Sequence, residues 1–486
     1  MLTRHGDAMA PGRFPVIRVV DGVRDGRDLA DALERGARTS PPASAAVADL
    51  LFTARPDRRR PCARRPVARC RAVRGGHRRA LPDAGPARAA VYPRGADRPR
   101  LGPVPRTLII TNDFPPRPGG IQAFVHELAL RRPPDSVVVY CSTPSPRGAA
   151  APDEASDFDL GLPFPVVRER TPVLLPTPAV RRRAARIAAL EECDSVLFGA
   201  AAPLGLMAGG LRRAGVRRIV GLTHGHETGW SALPGARQAL RRIGEDTDTL
   251  TYLGEYTRAR LARALTPEAA DRMRRLAPGV DTARFRPGAG GEGVRERHGL
   301  RGRPVVVCVS RLVARKGQDT LLRAWPRVLA DVPDAALLLV GGGPYRGRLE
   351  ALAREQGVAD SVRFAGDVPA GELPAHYDAG DVFAMPCRTR NGGLDVEGLG
   401  MVYLEASATG LPVVAGRSGG APDAVSEGET GLVVDPTRPG PTARALIGLL
   451  RDPQRAAAMG ERGRAWVERE WTWDGVAERL ADLLEG

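Results

Sequence analysis

Residues 304–316 read Pro-Val-Val-Val-Cys-Val-Ser-Arg-Leu-Val-Ala-Arg-Lys, an apolar run followed by a basic loop. The run Pro304–Val309 is typical of a strand covered on both faces of a parallel sheet. Because ligands bind beyond the carboxyl ends of such strands, Arg311 and Lys316 lie where two cations can meet a diphosphate. Lys316 is also the single lysine among the 72 lysines and arginines of the chain. An accidental lysine on a solvated loop explains this segment equally well, so the interpretation depends on the rest of the sequence.

Strand, loop and helix patterns alternate on both sides of this segment. The first unit comprises the run Thr107–Thr111, a turn rich in proline and glycine, and the helical pattern Ile121–Leu130. Further apolar runs in this half are Ser136–Cys141, Ser195–Phe198, Arg218–Leu222 and Thr249–Leu253. After Pro304 the predicted strands are Ala336–Val340, Ser361–Phe364, Asp381–Met385, Pro412–Val414 and Gly431–Val434, and the predicted helices are Gln318–Ala330, Arg346–Glu355 and Met401–Thr409. This alternation predicts an α/β protein with two doubly wound parallel sheets in tandem.

The patterns divide the chain into four segments. We predict an N-terminal Rossmann-like domain over residues 106–283 and a C-terminal one over residues 284–465, with a linker around Gly279–Gly302. Residues 466–486 contain the helical pattern Trp473–Leu484, whose regularly spaced apolar side chains must pack on something. We expect this last segment to cross back onto the first domain.

Residues 1–105 differ in composition from the rest of the chain. They hold 22 arginines and 10 acidic residues, and so contribute +12 of the net charge of +16. With little apolar periodicity, such a segment cannot bury enough surface to offset the entropy of ordering. It is a disordered basic tail that touches lipid or nucleic acid, a small divergent domain, or a stretch translated from a start codon placed too early. Disorder or a misplaced start is favoured.

The composition of residues 106–486 narrows the class of protein. Their net charge of only +4 does not indicate nucleic-acid binding, and we expect no nucleic-acid partner. The six cysteines lack metal-ligand spacing, which fits a reducing cytoplasm. No apolar run approaches the length of a membrane span, and the N-terminus lacks the apolar core of a signal peptide.

Two carboxylates flank a glycine-spaced turn at residues 397–405, Glu-Gly-Leu-Gly-Met-Val-Tyr-Leu-Glu. Glycine lets the backbone approach a ligand closely, and free N–H groups at a helix start favour an anion such as a β-phosphate. Glu397 precedes the helix and can reach sugar hydroxyls, whereas Glu405 can accept hydrogen bonds from two ribose hydroxyls. The alternative is an ordinary carboxylate at a helix start and a surface glutamate.

Taken together, these positions resemble the donor site of the retaining GT-B glycosyltransferases, over about residues 106–486. Other matches are the first-loop glycines Gly119 and Gly120, the junction Pro278–Asp281 and the turn Gly341–Pro344. Three further motifs resemble most closely the actinobacterial phosphatidylinositol mannosyltransferases that add the second mannose from GDP-mannose: Thr111–Pro116, Thr223–Trp230 and Leu253–Thr257. The resemblance implies two Rossmann-like domains that face each other across a cleft.

The resemblance also implies a role for each matched residue. Gly119 and Gly120 let the first loop approach the donor diphosphate, and Arg311 and Lys316 neutralise the charge that grows on the leaving GDP. Glu397 contacts the sugar, and His224 is the preferred partner of the mannose hydroxyls or anomeric region, with His226 still possible. The remaining donor contacts are the backbone N–H groups of Gly400, Met401 and Val402 on the β-phosphate and hexose, the backbone of Val368 on the guanine, and Glu405.

The implied reaction is transfer of α-mannose with retention, in which the departing phosphate oxygen accepts the proton of the acceptor hydroxyl. No cofactor and no metal is expected. A lipid acceptor implies a peripheral protein on the inner face of the plasma membrane. Residues 179–190 carry four arginines and an apolar side of Val180, Ile187 and Leu190 that can contact headgroups, unless they form an ordinary solvated helix.

Three alternatives remain at this point. The enzyme class is unchanged if the donor is another nucleotide sugar, or if the acceptor is a soluble glycan or a different lipid. A nucleotide-sugar epimerase on the same two-domain scaffold is less favoured. The sequence does not indicate the oligomeric state.

Overall fold

The computed structural model describes residues 105–143, 152–231, 233–393 and 395–486. The three interpretations of the N-terminal extension therefore lie outside the described residues. Within the described part, no helix is both long and apolar enough to cross a lipid bilayer.

The first domain is built on a seven-stranded parallel sheet of order β3-β2-β1-β4-β5-β6-β7. Its strands are β1 Arg106–Thr111, β2 Val137–Ser142, β3 Val166–Glu169, β4 Cys193–Phe198, β5 Arg218–Gly221, β6 Thr249–Tyr252 and β7 Arg274–Arg275. Its helices are α1 Gly120–Leu130, α2 Pro152–Leu160, α3 Pro178–Leu190, α4 Ala208–Arg213, α5 Glu227–Trp230, α6 Pro234–Asp246, α7 Glu255–Ala262 and α8 Pro267–Asp271.

The second domain has a six-stranded parallel sheet of order β10-β9-β8-β11-β12-β13. Its strands are β8 Val305–Val309, β9 Ala336–Val340, β10 Val362–Gly366, β11 Val382–Met385, β12 Val413–Gly416 and β13 Gly431–Val434. The helices that follow the first domain are α9 Gly291–His298, α10 Gln318–Asp331, α11 Arg346–Glu355, α12 Leu373–Asp378, α13 Met401–Ala408, α14 Pro439–Leu450, α15 Pro453–Glu470 and α16 Trp473–Glu485. The prediction of two parallel, doubly wound sheets is confirmed.

The order of strands places the loops that follow β8 and β11 side by side. Strand order reverses between these two strands, and β8 is buried along its whole length, as its apolar sequence predicts. The equivalent reversal in the first sheet lies between β1 and β4. Such a reversal opens a crevice at the carboxyl edge of a sheet, so each domain presents one crevice there.

The sequence analysis missed two strands and gave bounds for only some of the helices. β3 is only half-buried, and β7 consists of two exposed arginines, so neither has the apolar run of a buried strand. The stretch Gly279–Gly302, predicted to be a linker, contains α9. This helix buries Val294 in the second core, and its first turn is so close to α12 that a Cβ at Gly291 would overlap the Asp378 carbonyl.

The chain changes domain a second time at Trp471 and Thr472. Trp471 is buried in the second core, whereas α16 places Val476, Leu480 and Leu484 in a cluster of the first domain with residues of α1. The second passage runs beside the first, since the Val280 N–H donates to the Trp471 carbonyl at 2.7 Å. The helix that begins at Trp473 thus packs on the first domain, while residues 466–470 continue α15.

Candidate functional site

A tight turn after β8 brings two cations onto one carboxylate. Ala314–Lys316 forms a single 3₁₀ turn, and Gly317 follows in the left-handed conformation at φ 81°. Any Cβ at Gly317 would overlap the Pro386 carbonyl, so the turn packs directly on the loop after β11. The Glu397 Oε2 atom accepts hydrogen bonds from Lys316 Nζ at 2.8 Å and from Arg315 Nη1 at 2.7 Å.

The Glu397 carboxylate is 7% exposed, so its two cations balance a charge that lies largely out of water. Arg315 also reaches Asp395, with Nε 3.0 Å from Oδ1. Lys316 and Glu397, which the sequence analysis assigned to one donor site, are therefore in direct contact in the fold. Arg315 was not predicted, because in the sequence it reads as one more arginine in a chain with many.

Arg311 lies apart from this cluster. It comes directly after β8 and Ser310, its side chain is exposed, and its carbonyl accepts a hydrogen bond from Gln318 Nε2 at 3.1 Å. The next residue, Leu312, donates its N–H to Gly342 at 2.7 Å, in the turn after β9. Gly342 in turn leaves no room for a Cβ beside Asp367, which precedes Val368. The loops of the predicted residues Arg311 and Val368 thus lie on either side of the turn after β9, at one sheet edge.

Helix α13 begins between the two glutamates. Gly400 is in the left-handed conformation at φ 85° and has no side chain to cap the helix. The first N–H groups of a helix lack intrahelical acceptors, so those of Met401 and Val402 can bind an anion. This is the arrangement that the glycine spacing predicted.

Glu405 points into the domain from the second turn of α13. Its Oε2 accepts a hydrogen bond from the Tyr377 hydroxyl at 2.5 Å, and Tyr377 is fully buried. Burial raises the pKa of the Glu405 carboxyl, while the hydrogen bond from Tyr377 opposes this shift. Tyr377 on α12 is a second site residue that the sequence did not reveal, because an isolated tyrosine carries no motif.

The glycine-rich loop before α1 is held by a polar pair. Gln122 Nε2 donates to Asp113 Oδ1 at 2.7 Å, and a Cβ at Gly119 would overlap the Gln122 amide. At Gly120, by contrast, a Cβ would meet nothing within 4 Å. The loop therefore keeps an open backbone surface at Gly120, where the donor diphosphate is expected.

His224 and His226 form a stacked pair after β5. Their ring centroids are 6.1 Å apart at an interplanar angle of 13°. His224 Nε2 is 2.6 Å from the Gly199 carbonyl, which can only accept, so Nε2 carries a proton and Nδ1 is the ring atom left to accept. Burial lowers the pKa of His224, which favours the neutral ring. His226 is more open to solvent, with Nε2 3.4 Å from the buried Glu227 carboxylate.

The two domains touch at this point. A Cβ at Gly398 would be 3.7 Å from the His224 carbonyl oxygen, and one at Gly225 would be 3.7 Å from the Gly398 Cα. The histidine loop of the first domain and the Glu397 loop of the second therefore meet across the crevice. His224, Lys316, Glu397 and the start of α13 belong to one site.

A second contact across the crevice lies at the start of α7. The Asp423 carboxylate, from the second domain, accepts a hydrogen bond from the Tyr256 N–H at 3.2 Å. Gly254, the residue before α7, has no side chain and leaves no room for one beside Asp423. Burial raises the pKa of Asp423. One domain thus caps a helix of the other.

Helix α3 does not expose the apolar side that the sequence analysis assigned to lipid headgroups. Ile187 is 8% exposed and packs in the first core with Val180, so these side chains cannot reach a lipid headgroup. The exposed surface instead carries Arg182, Arg183 and Arg186, beside a groove of about 570 Å³. Two leucines lie on the surface of this region, Leu175 at 54% and Leu190 at 75% exposure.

Comparison with known proteins agrees with the fold. Residues 118–284 match the model of the glycosyltransferase family 4, and residues 292–466 match that of the glycosyl transferases group 1. Among solved structures, Anabaena Alr3699/HepE in complex with UDP covers 78% of this chain and 98% of its own, with a TM-score of 0.63 at 19% identity. The sucrose-phosphate synthase of Thermosynechococcus elongatus covers the same shares, with a TM-score of 0.59 at 22% identity.

Curated relatives are much more similar in sequence. The GDP-mannose-dependent alpha-(1-6)-phosphatidylinositol monomannoside mannosyltransferase of Mycolicibacterium smegmatis is 54% identical over 384 residues, which is 78% of this chain and 98% of the relative. The Mycobacterium tuberculosis protein with the same name is 51% identical over 385 residues and the same shares. A Corynebacterium glutamicum enzyme named for the monoacylated acceptor is 46% identical over 383 residues, again 78% of this chain and 98% of the relative.

The fold and the matches across both domains define a glycosyltransferase of the GT-B class. Within that class, the chain belongs to the family of the phosphatidylinositol monomannoside mannosyltransferases.

Proposed function

We propose that this protein transfers α-mannose, with retention, from GDP-mannose to a phosphatidylinositol monomannoside, adding the second mannose. The observation that carries the proposal is the 54% identity with a relative of that name over 384 residues, because this match spans both the donor and the acceptor domain. The Lys316–Glu397 contact supports it, since it joins a cation for the diphosphate to a carboxylate for the sugar.

The donor lies across the crevice in this proposal. The N–H groups at the start of α13 and the open backbone at Gly120 bind the diphosphate, and the ribose hydroxyls bind Glu405. The guanine contacts the backbone at Val368, on the loop after β10. The mannose lies between Glu397 and the histidine pair, where His224 is preferred because its neutral ring keeps Nδ1 as an acceptor.

The bond between the anomeric carbon and the phosphate oxygen breaks, and a bond to the acceptor oxygen forms on the same face of the sugar. The departing phosphate oxygen takes the proton of the acceptor hydroxyl, so no other base is needed. Charge grows on the diphosphate during this step, and Arg311 and Lys316 stabilise it. The proposal assigns this charge to side chains rather than to a metal, so activity should survive treatment with EDTA.

The acceptor is lipid-linked, and the exposed arginines of α3 fit an anionic membrane surface. We therefore propose that the protein acts peripherally on the inner face of the plasma membrane, whose lipids are negatively charged.

A matrix of donors and acceptors tests the function. Purified protein is assayed with GDP-mannose, GDP-glucose and UDP-glucose against phosphatidylinositol, its monomannoside, its dimannoside and free inositol phosphate. The expected result is efficient turnover only for GDP-mannose with the monomannoside, giving an α-linked product by NMR. Faster turnover with another pair identifies a related transferase instead, and conversion of the donor sugar without acceptor indicates an epimerase.

A further inference from the structure

Two cations contact the Glu397 carboxylate, and one of them also pairs with a second carboxylate, Asp395. Among the described residues, the ion-pair partners of Glu397 are Lys316 and Arg315, and both contact the same atom, Oε2. The proposed function requires Lys316 to bind the donor diphosphate. If Lys316 were the sole partner, its departure would leave a buried carboxylate unpaired, which is unfavourable.

The two cations differ in how firmly they are held. Arg315 bridges Asp395 and Glu397, and its carbonyl accepts a hydrogen bond from the Arg388 N–H at 2.8 Å, so both its side chain and its backbone are fixed. Lys316 carries its charge on a flexible stem and makes one ion pair in the described structure. Lys316 is therefore the partner that can leave.

Other groups near Glu397 do not supply a positive charge. Cys387, on the loop after β11, and Tyr403, on α13, both lie close enough to interact electrostatically with it. Burial raises the pKa of Cys387 to about 11 and that of Tyr403 well above its ordinary value, so both are neutral. Among the described residues, the ion pairs of Glu397 therefore come from Arg315 and Lys316 of the turn after β8.

We propose that Arg315 is a positioning residue that keeps the Glu397 carboxylate paired while Lys316 moves to the donor diphosphate. This inference rests on the proposed function of the site, but not on the identity of the base or sugar. In its absence the departure of Lys316 leaves the buried Glu397 carboxylate unpaired, so Glu397 takes up a proton when the nucleotide binds.

Isothermal titration calorimetry of Arg315→Gln tests this inference. Nucleotide binding is measured in buffers of different ionisation enthalpy, which reports the number of protons taken up. The probe is whichever of GDP, UDP and ADP the wild-type protein binds most tightly. We expect binding weaker by about tenfold or more, the scale of a lost charge-assisted hydrogen bond, and proton uptake that the wild type does not show.

Two further variants separate this role from a structural one. Arg315→Lys restores a charge and should recover much of the affinity, while Asp395→Asn loosens Arg315 without removing its charge and should have a smaller effect in the same direction. They also test the idea if Arg315→Gln does not fold. The matched control is Arg451→Gln, which breaks a surface pair with Asp331 at 3.0 Å and should bind like wild type.

Wild-type affinity without proton uptake in Arg315→Gln would overturn the inference. An equal loss of nucleotide affinity at every pH, with no proton uptake, would also overturn the inference, because that result indicates a structural role only. Preference of the wild type for UDP or ADP would refute GDP-mannose as the donor and still test Arg315. Binding of none of the three nucleotides would overturn both.

Discussion

At the scale of single residues, Lys316 is the cation that the proposed mechanism places on the leaving diphosphate. The lysine lies 2.8 Å from Glu397 in the structure, and the proposed mechanism requires it to stabilise the leaving diphosphate. We expect Lys316→Ala to lower kcat by about 10²-fold, the scale of removing one transition-state stabiliser. Arg315 remains on Glu397, so the melting temperature should change little. Steady-state kinetics that match wild type would exclude Lys316 from the mechanism, and Arg451→Gln again serves as the control.

The hydrogen bond from Tyr377 favours the ionised form of Glu405, against the effect of burial. Because its hydroxyl hydrogen bond opposes the raised pKa of the Glu405 carboxyl, Tyr377→Phe should raise that pKa further. The acid limb of the profile of kcat/KM against pH should then move to higher pH, since the ribose contact needs the carboxylate. A profile with an unchanged acid limb would contradict this role of Glu405.

The same substitution has a consequence for stability. Losing a hydrogen bond to a charged group costs about 2 kcal/mol of unfolding free energy near neutral pH. A carboxyl whose pKa is raised by folding stabilises the folded protein at pH values below its ordinary pKa. That contribution is lost as the pH rises through the pKa of the folded state. Urea unfolding should therefore show a smaller difference in unfolding free energy between wild type and Tyr377→Phe at acidic pH than at neutral pH.

The site residues differ in how far the sequence reveals them. Lys316 and Glu397 stand in patterns with a chemical meaning, a unique lysine after a buried strand and a carboxylate before a glycine turn, and the fold joins them. Arg315 and Tyr377 act through partners that are distant in sequence, Glu397 and Glu405, so no local pattern marks them. Arg311 stays a prediction for the diphosphate, because its side chain contacts solvent in the structure.

At the scale of elements, the capping of α7 by Asp423 couples the domains. An N-cap carboxylate typically contributes about 1 kcal/mol, so Asp423→Ala should increase hydrogen exchange at the start of α7 by about fivefold. Exchange of the peptide 254–262, followed by mass spectrometry, measures this effect. Asp435→Ala, which removes an exposed carboxylate of the same domain, is the matched control, and equal exchange in both variants would show that the cap carries no free energy.

The exposed face of α3 gives a prediction for membrane binding. Arg182 and Arg186 are exposed, and near an anionic surface each contributes about 1 kcal/mol. The double variant Arg182→Gln/Arg186→Gln should bind vesicles containing phosphatidylinositol about 30-fold more weakly, and added salt should reduce the difference. Arg183 is kept because it pairs with Glu169 at 3.1 Å.

A matched pair of substitutions controls for net charge. Arg354→Gln/Arg444→Gln removes the same charge from exposed positions of the second domain. Vesicle sedimentation should separate the two double variants clearly. If both weaken binding equally, α3 is not the membrane surface.

Strong apolar runs made most strands and helices predictable, and β9, β13 and α11 have the predicted bounds. β7 was missed because a strand of two exposed arginines carries no hydrophobic pattern. The exposed face of α3 was misassigned, because an amphipathic pattern fixes which side chains share a face but not whether the protein core or a membrane covers the apolar one.

At the scale of the whole molecule, both family matches lie within residues 106–486. We expect a protein that lacks residues 1–105 to keep its transferase activity, because every residue proposed for the site lies beyond them. Activity of the shortened and full-length proteins is compared on the same lipid acceptor. Complete loss of activity in a shortened protein that is folded by circular dichroism would assign a function to the extension.

The two neighbouring passages between the domains determine how parts of this enzyme can be exchanged with those of a relative. Because Val280 and Trp471 are joined by a hydrogen bond, the chain enters and leaves the second domain at almost one point, and this domain forms an insert, not a tail. A chimera that transplants the second domain as a cassette from Val280 to Trp471 keeps the first domain whole. A fusion made at a single junction near residue 283 would take Val476, Leu480 and Leu484 from a foreign sequence and leave the first domain with a mismatched core.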